Sequence, residues 1–330
     1  MWDFGTDIIN DDDDRTKVGL SFNDTLHLTP SDEFISYLVS LKYFKGDNDK
    51  ESKCLDYTIG LEYLNEDPQI LPHVFRVYKK DLFFNKKKPS LIIEEITTAI
   101  AATMYPLEIA VDNSGSFIEV LNYTEIQKRW IINKKNIIKE YKGDLVFKMV
   151  KKFENIIKTP SKLEASLSNE IFWSIFYNPI YTSYQKDYKK ESTVVFPLEP
   201  YKPLAVYKGI STITPFITEY NTIELKYSGQ SIISDPSRFH IKRTGHTISS
   251  DLQITYDLDT DTRMPRLINV ICDVYDETKK EEIKAIALLV VQQESDTFPK
   301  SSLEKKEDQQ PESPEIQPKK KRWFFSGSKK

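Results

Sequence analysis

EFISYLVSLKYF, residues 33 to 44, decides the fold. Ile35, Tyr37, Val39, Leu41 and Tyr43 recur at every second position, with Ser36, Ser40 and Lys42 between them. A period of two sends one set of side chains to a core and the other to solvent, as in a half-buried strand. Just before it, Thr29-Pro30-Ser31-Asp32 has the composition of a helix start with proline in its first turn. The alternation outweighs that signal, and a strand is expected.

The same period extends outward. Lys17 to Leu28 carries β signals, Gly46-Asp47-Asn48-Asp49-Lys50 reads as a loop, Tyr57, Ile59, Leu61 and Tyr63 are spaced by two, and Val74 to Phe84 forms the next strand. Residues 17–84 therefore predict an antiparallel meander. The period then lengthens. Ser90 caps a helix with Ile92, Ile96 and Ile100 on one face, ending before Pro106. A hairpin follows, Leu107 to Val111 and Ser116 to Leu121, around Asp112-Asn113-Ser114-Gly115.

Residues 122–178 read as helices. Asn122 with Glu125 resembles a capping box before a stripe of Tyr123, Ile126, Trp130, Ile137 and Tyr141, closed by Gly143. Met149, Val150, Phe153 and Ile157 mark a second helix ending at Pro160. Ser161 with Glu164 opens a third, whose stripe of Leu163, Leu167, Ile171 and Ile175 stops before Pro179. After Pro197, Pro200 and Pro203, short β-branched and aromatic segments return over 204–291, among them Phe239 to Arg243 and Leu252 to Leu258. Strands, helices, then strands predict an α+β fold: an antiparallel β-sheet with a central helical block, in an order that suits a curved, half-barrel-like sheet cradling helices. The expected organisation is an acidic, flexible segment over 1–16, a folded body over 17–292, a disordered linker over 293–317 rich in Ser, Glu, Lys, Gln and Pro, and a basic-aromatic tail over 318–330.

Charge sharpens that division. The net charge is -4, yet 318–330 holds six basic residues and no acid, which leaves residues 1–317 at −10. An acidic body argues against a general nucleic-acid surface. The local exception is 122–162, with eleven basic residues against Glu125, Glu140, Asp144 and Glu154. A solvated helix face explains most of it, and an anion-binding surface is the alternative. No stretch has the length and apolarity of a signal peptide or a transmembrane helix, so a cytoplasmic protein is expected, with a nuclear location only if the source is eukaryotic. Richness in Lys, Ile and Asn points instead to an AT-rich, bacterial genome.

Catalytic signatures are missing. Ten scattered glycines supply neither a GxxxxGK[ST] nor a GxGxxG, and GxSxG is absent. Cys54 and Cys272 lie far apart and read as two buried hydrophobes. His27, His73, His240 and His246 have no ligand spacing. Asp257, Asp259 and Asp261 alternate as calcium ligands do, but Thr262 stands where the glycine of such a loop belongs and Ile268 where its glutamate belongs, so a solvated turn is the simpler reading. No cofactor is expected. The tail is harder to explain structurally: Lys319, Lys320, Lys321, Arg322, Trp323, Phe324 and Phe325 put aromatic surface beside positive charge. It reads first as a peptide docking a protein partner, then as contact with an anionic membrane surface, then as a nuclear-import patch. The leading functional expectation is a non-enzymatic interaction protein, an adaptor, scaffold or assembly component. The alternatives are a carrier of an apolar ligand, suggested by forty aromatic residues in a glycine-poor sheet protein, and a hydrolase using carboxylates such as Asp257 and Asp259.

Overall fold

The computed structural model of the chain describes residues 15–293 apart from 22, 47, 66, 68, 70, 200, 201, 240 and 242–244. In it, the alternating stretch becomes β1 (Ile35–Lys45), with Tyr37, Val39 and Leu41 buried. It pairs antiparallel with β2 (Asn48–Tyr63), which pairs with β3 (His73–Phe84). The hairpin of β4 (Leu107–Val111) and β5 (Phe117–Val120) extends the meander to one edge. The second series comprises β6 (Lys189–Phe196), β7 (Ala205–Ile213), β8 (Thr222–Ile233), β9 (Ile248–Asp259), β10 (Pro265–Asp276) and β11 (Glu281–Gln293). Because β1 pairs with β11, the two meanders join into one eleven-stranded antiparallel sheet, ordered β5-β4-β3-β2-β1-β11-β10-β9-β8-β7-β6.

That order places β5 and β6 on opposite edges, about 48 Å apart at ordinary strand spacing. The chain between them has to cross the sheet. It does so through α2 (Tyr123–Glu140), α3 (Asp144–Ile156), α4 (Pro160–Ser168) and α5 (Ile171–Phe176), while α1 (Ile92–Met104) connects β3 to β4. Five of the six residues of α5 are buried. Its Phe172 meets Tyr57 of β2 edge-on at 6.3 Å, and its Phe176 meets Tyr37 of β1 at 5.2 Å, so α5 is held on the inner face by aromatic packing. No helix among the described residues is long and apolar enough to cross a membrane.

Several local readings need correction. Lys17 to Leu28 is not a strand; it is an irregular segment tied down by single bridges such as Lys17 to Phe216 and Thr25 to Ser183. Arg15 already stacks over the Phe216 ring at 4.4 Å. Phe239, expected to open a strand, ends a 3-10 turn over Pro236–Phe239, while residues 240, 242 and 243 of that expected strand lie outside the described residues; β6 carries no alternation along its length because its apolar residues sit at one end. The expected caps are also reassigned. Ser90 does not cap α1; the Glu94 carboxylate accepts from the backbone N–H groups of Ser90 and Leu91 at 3.1 and 3.2 Å. Asn122 instead pins β4, its Oδ1 accepting from Glu108 N and its Nδ2 donating to Pro106 O. Gly143, with φ 109, precedes α3 rather than closing α2. Thr159 caps α4 by accepting from Lys162 N, and Asn169 breaks the single expected helix into α4 and α5.

The hairpin turn matches its composition. Asp112 Oδ1 accepts from the N–H groups of Ser114 and Ser116, and Gly115 has φ +88. A Cβ at Gly115 would stand 2.5 Å from the Tyr181 ring, so glycine is required both by conformation and by space. Both cysteines are buried, and they form no disulfide among the described residues.

Candidate functional site

A cavity of about 510 Å³ lies between the inner face of β1–β3 and the helices. Leu41 and Tyr43 of β1, Leu55 and Tyr57 of β2, and Leu82 and Phe84 of β3 form its floor. Ile93, Thr97, Ile100, Ala101 and Met104 of α1 form one wall at helical spacing. Met149, Phe153 and Ile156 of α3, with Ile171 and Phe172 of α5, form the other. The cavity reaches solvent beside Ile93 and Lys152, which line it and are exposed.

One charged side chain enters from the floor. Val77 and Lys79 lie on the core face of β3, with Lys79 opposite the fully buried Ile59. Asp81, at φ +56, then inserts a residue in a bulge, so the inward parity moves from 77 and 79 to Leu82 and Phe84. Lys79 is thus kept on the apolar face. Its side chain is only 11% exposed, and Nζ sits 4.0 Å above the Tyr57 ring and 4.0 Å from Glu170 Oε2. Among the described residues no hydrogen-bond acceptor stands within bonding distance of that ammonium; the aromatic face and a loose ion pair offset its desolvation. Burial, and after it the Glu170 carboxylate, push the Tyr57 phenol well above its ordinary value, so the ring is neutral beneath the cation. Burial followed by Glu199 raises Tyr43 to about 12. The arrangement is a mostly apolar chamber with one partly unsatisfied cation in its floor, suited to an apolar molecule with an anionic end.

A second void, of about 10 Å³ between Leu28, Phe75, Tyr177 and Tyr181, is room for one water. Neither cavity is lined by Asp257, Asp259 or Asp261. Asp257 lies on the outer face of β9 directly opposite Glu224 of β8, and burial together with that carboxylate raises its pKa. Asp259 organises the β9–β10 turn. Its Oδ1 accepts from the N–H groups of Asp261 and Thr262, and its Oδ2 accepts from Arg266 Nε and Nη2 at 3.0 and 2.6 Å. These donors outweigh burial and hold the carboxyl below the usual range. Asp261 is exposed at the tip of the turn. No group of three or more potential ligands gathers as a metal site among the described residues.

His73 is buried with Nδ1 3.0 Å from the Tyr63 hydroxyl, and burial lowers its pKa. His246 Nδ1 meets the buried Asp276 carboxylate at 2.6 Å, while His27 is exposed and His240 lies outside the described residues. The tail residues Lys319, Lys320, Lys321, Arg322, Trp323, Phe324 and Phe325, the linker from 294, and the acidic residues 11–14 also lie outside the described residues. The reading by sequence missed Lys79. The signal that identifies it is parity: a lysine two residues after Val77, on the face that every neighbouring strand fills with apolar side chains.

No family model matches the chain. No curated protein matches it. Among solved structures, one described as lipid-protein interactions in lipovitellin is similar at a TM-score of 0.45 and 4% identity, covering 83% of this chain and 26% of that one. The chain thus spans about a quarter of that structure's length. DynF from the dynemicin biosynthesis pathway of Micromonospora chersina is similar at a TM-score of 0.21 and 6% identity, covering 87% and 92%. Both scores are low, and the site rests on the chain's own geometry.

Proposed function

We propose that this protein binds an elongated apolar molecule with an anionic head, held between the sheet and the helices with its head against Lys79. In this reading the sheet is a half-barrel-like wall cradling the helices, and the protein is a carrier or binding module. The observation that carries it is the cavity of about 510 Å³, inside the range of small-molecule sites, with a nearly buried lysine in an otherwise mostly apolar floor. Glu170, with 40% of its side chain exposed and 4.0 Å distant, holds the ammonium too loosely to compete with a carboxylate that enters the chamber. Docking through the tail rests on residues outside those described. The carboxylates considered for hydrolysis border neither cavity.

The test is displacement of a fluorescent fatty acid from the full chain by a long-chain carboxylic acid and by the corresponding alcohol. The acid should bind more tightly than the alcohol, and Lys79→Met should remove that preference. A hydrogen bond to a charged group contributes about 1.5 to 3 kcal/mol, so the acid should lose about tenfold or more while the alcohol changes little. Failure of the acid to bind, or equal weakening of both ligands by Lys79→Met, refutes the reading.

A further inference from the structure

The rim beside the cavity has a character of its own. Lys87 and Lys88 are exposed in the loop before α1, and the residues that follow, Leu91 and Ile92, are 59% and 60% exposed. On α3, Leu145 and Phe147 are 49% and 58% exposed, beside the exposed Lys148 and Lys151. These two helix starts are neighbours. The Tyr141 hydroxyl, just ahead of α3, donates to Glu95 Oε2 in the first turn of α1 at 3.2 Å, and Ile93 and Met149 line the same chamber.

Leucine, isoleucine and phenylalanine side chains held in water on two adjacent helix starts are not explained by packing among the described residues. Interleaved lysines fit a surface that is apolar just below a layer of negative charge. The nearby carboxylates Glu94, Glu95, Glu140 and Asp144 offset part of that charge, and the further exposed lysines Lys142 and Lys152 leave the rim net positive. We propose that this rim docks on an anionic lipid bilayer, with Leu91, Ile92, Leu145 and Phe147 entering the interface and Lys87, Lys88, Lys148 and Lys151 facing the head groups. The surface also adjoins the chamber at Ile93, so an apolar ligand passes between membrane and cavity with little exposure to water. Docking itself does not depend on the ligand reading, because it concerns the rim alone.

Sedimentation with vesicles of phosphatidylcholine, and of phosphatidylcholine with phosphatidylglycerol, tests it on the full chain. The wild type should sediment with the anionic vesicles only and be released by salt. Leu91→Glu with Ile92→Glu should abolish sedimentation, and Lys87→Ala with Lys88→Ala should weaken it about thirtyfold, at about 1 kcal/mol per lysine near the surface. Circular dichroism and thermal melting establish that these variants remain folded; both pairs are surface positions. Trp323→Ala with Phe324→Ala and Phe325→Ala separates the rim from the tail, and should leave the effect of the rim substitutions intact. The proposal is overturned if the wild type ignores anionic vesicles, if the rim variants sediment like the wild type, or if only the tail variant is lost. Rim substitutions that release a protein partner while vesicle binding is absent overturn it as well. Ligand displacement measured on the same rim variants stands apart, since loss of membrane docking with normal displacement leaves the ligand reading untouched.

Discussion

Ala101 lines the chamber from α1 with no side chain beyond Cβ, so Ala101→Leu is a direct probe of whether the space is empty. The substitution adds three carbon groups. At about 0.8 kcal/mol for each buried one the gain is about 2.4 kcal/mol, less about 0.5 to 1 kcal/mol of leucine rotamer entropy. Leucine is close to alanine in helix propensity, so α1 itself loses little. A net stabilisation of about 1.5 kcal/mol follows for the ligand-free chain, which corresponds to a rise in Tm of about 3 °C for a unit of this size. The same change should weaken long-chain acid binding, because the added carbons occupy ligand volume. Scanning calorimetry of delipidated protein reads the first effect and fluorescent displacement reads the second. Opposite signs on stability and on affinity are the signature of a real cavity. If Ala101→Leu destabilises the chain by about 1 to 3 kcal/mol, as overpacking does, and leaves binding unchanged, the reasoning from the chamber is wrong.

Three further outcomes are expected. Gly115→Ala should cost about 2 kcal/mol or more in urea denaturation, since φ +88 strains any side chain and a Cβ meets the Tyr181 ring at 2.5 Å; a neutral result would mean that the hairpin relaxes. His73 has a folded pKa below its unfolded value of about 6.5, so below that pH the unfolded chain binds more protons and stability falls as pH is lowered. His73→Gln should flatten this part of the urea midpoint against pH, and an unchanged profile would assign the slope to other groups. Asp273 faces Asp251 directly across β10 and β9, and burial, together with that like charge, raises its pKa. Asp273→Asn should therefore stabilise the chain by about 0.2 to 1 kcal/mol at neutral pH, with the gain vanishing as acid protonates the wild-type carboxyl; destabilisation at neutral pH would show that the carboxylate has a favourable partner.

Much of the sheet was legible because its signal is local. Tyr37, Val39 and Leu41 turn inward for the reason that their spacing announces, and the turn at 112–115 has both the aspartate and the glycine that its hydrogen bonds and positive φ demand. Caps were read less well. Asn122 and Glu164 carry capping chemistry, yet Asn122 bonds Glu108 and Pro106, and Glu164 accepts from Val120 N at 3.3 Å. A side chain with several available donors or acceptors goes where the tertiary structure offers partners, and sequence spacing names only the nearest of them. Ile92 falls by its spacing on the apolar face of α1 and yet is exposed, because amphipathic periodicity does not tell a core from a chamber or a rim.

The sequence alone determined the class of the molecule: strands of period two before and after a run of helices, glycine at 115, and an acidic body with a basic-aromatic end. These follow from backbone geometry, turn chemistry and charge, which act over a few residues. Only the tertiary structure decided that β1 pairs with β11, that the helices cross from one sheet edge to the other, and that a bulge at Asp81 leaves Lys79 beneath a chamber closed by helices distant in sequence. Pairing between strands more than two hundred residues apart depends on the burial of the whole face, and a cavity exists only where elements fail to fill the space between them. No stretch of residues holds that information by itself.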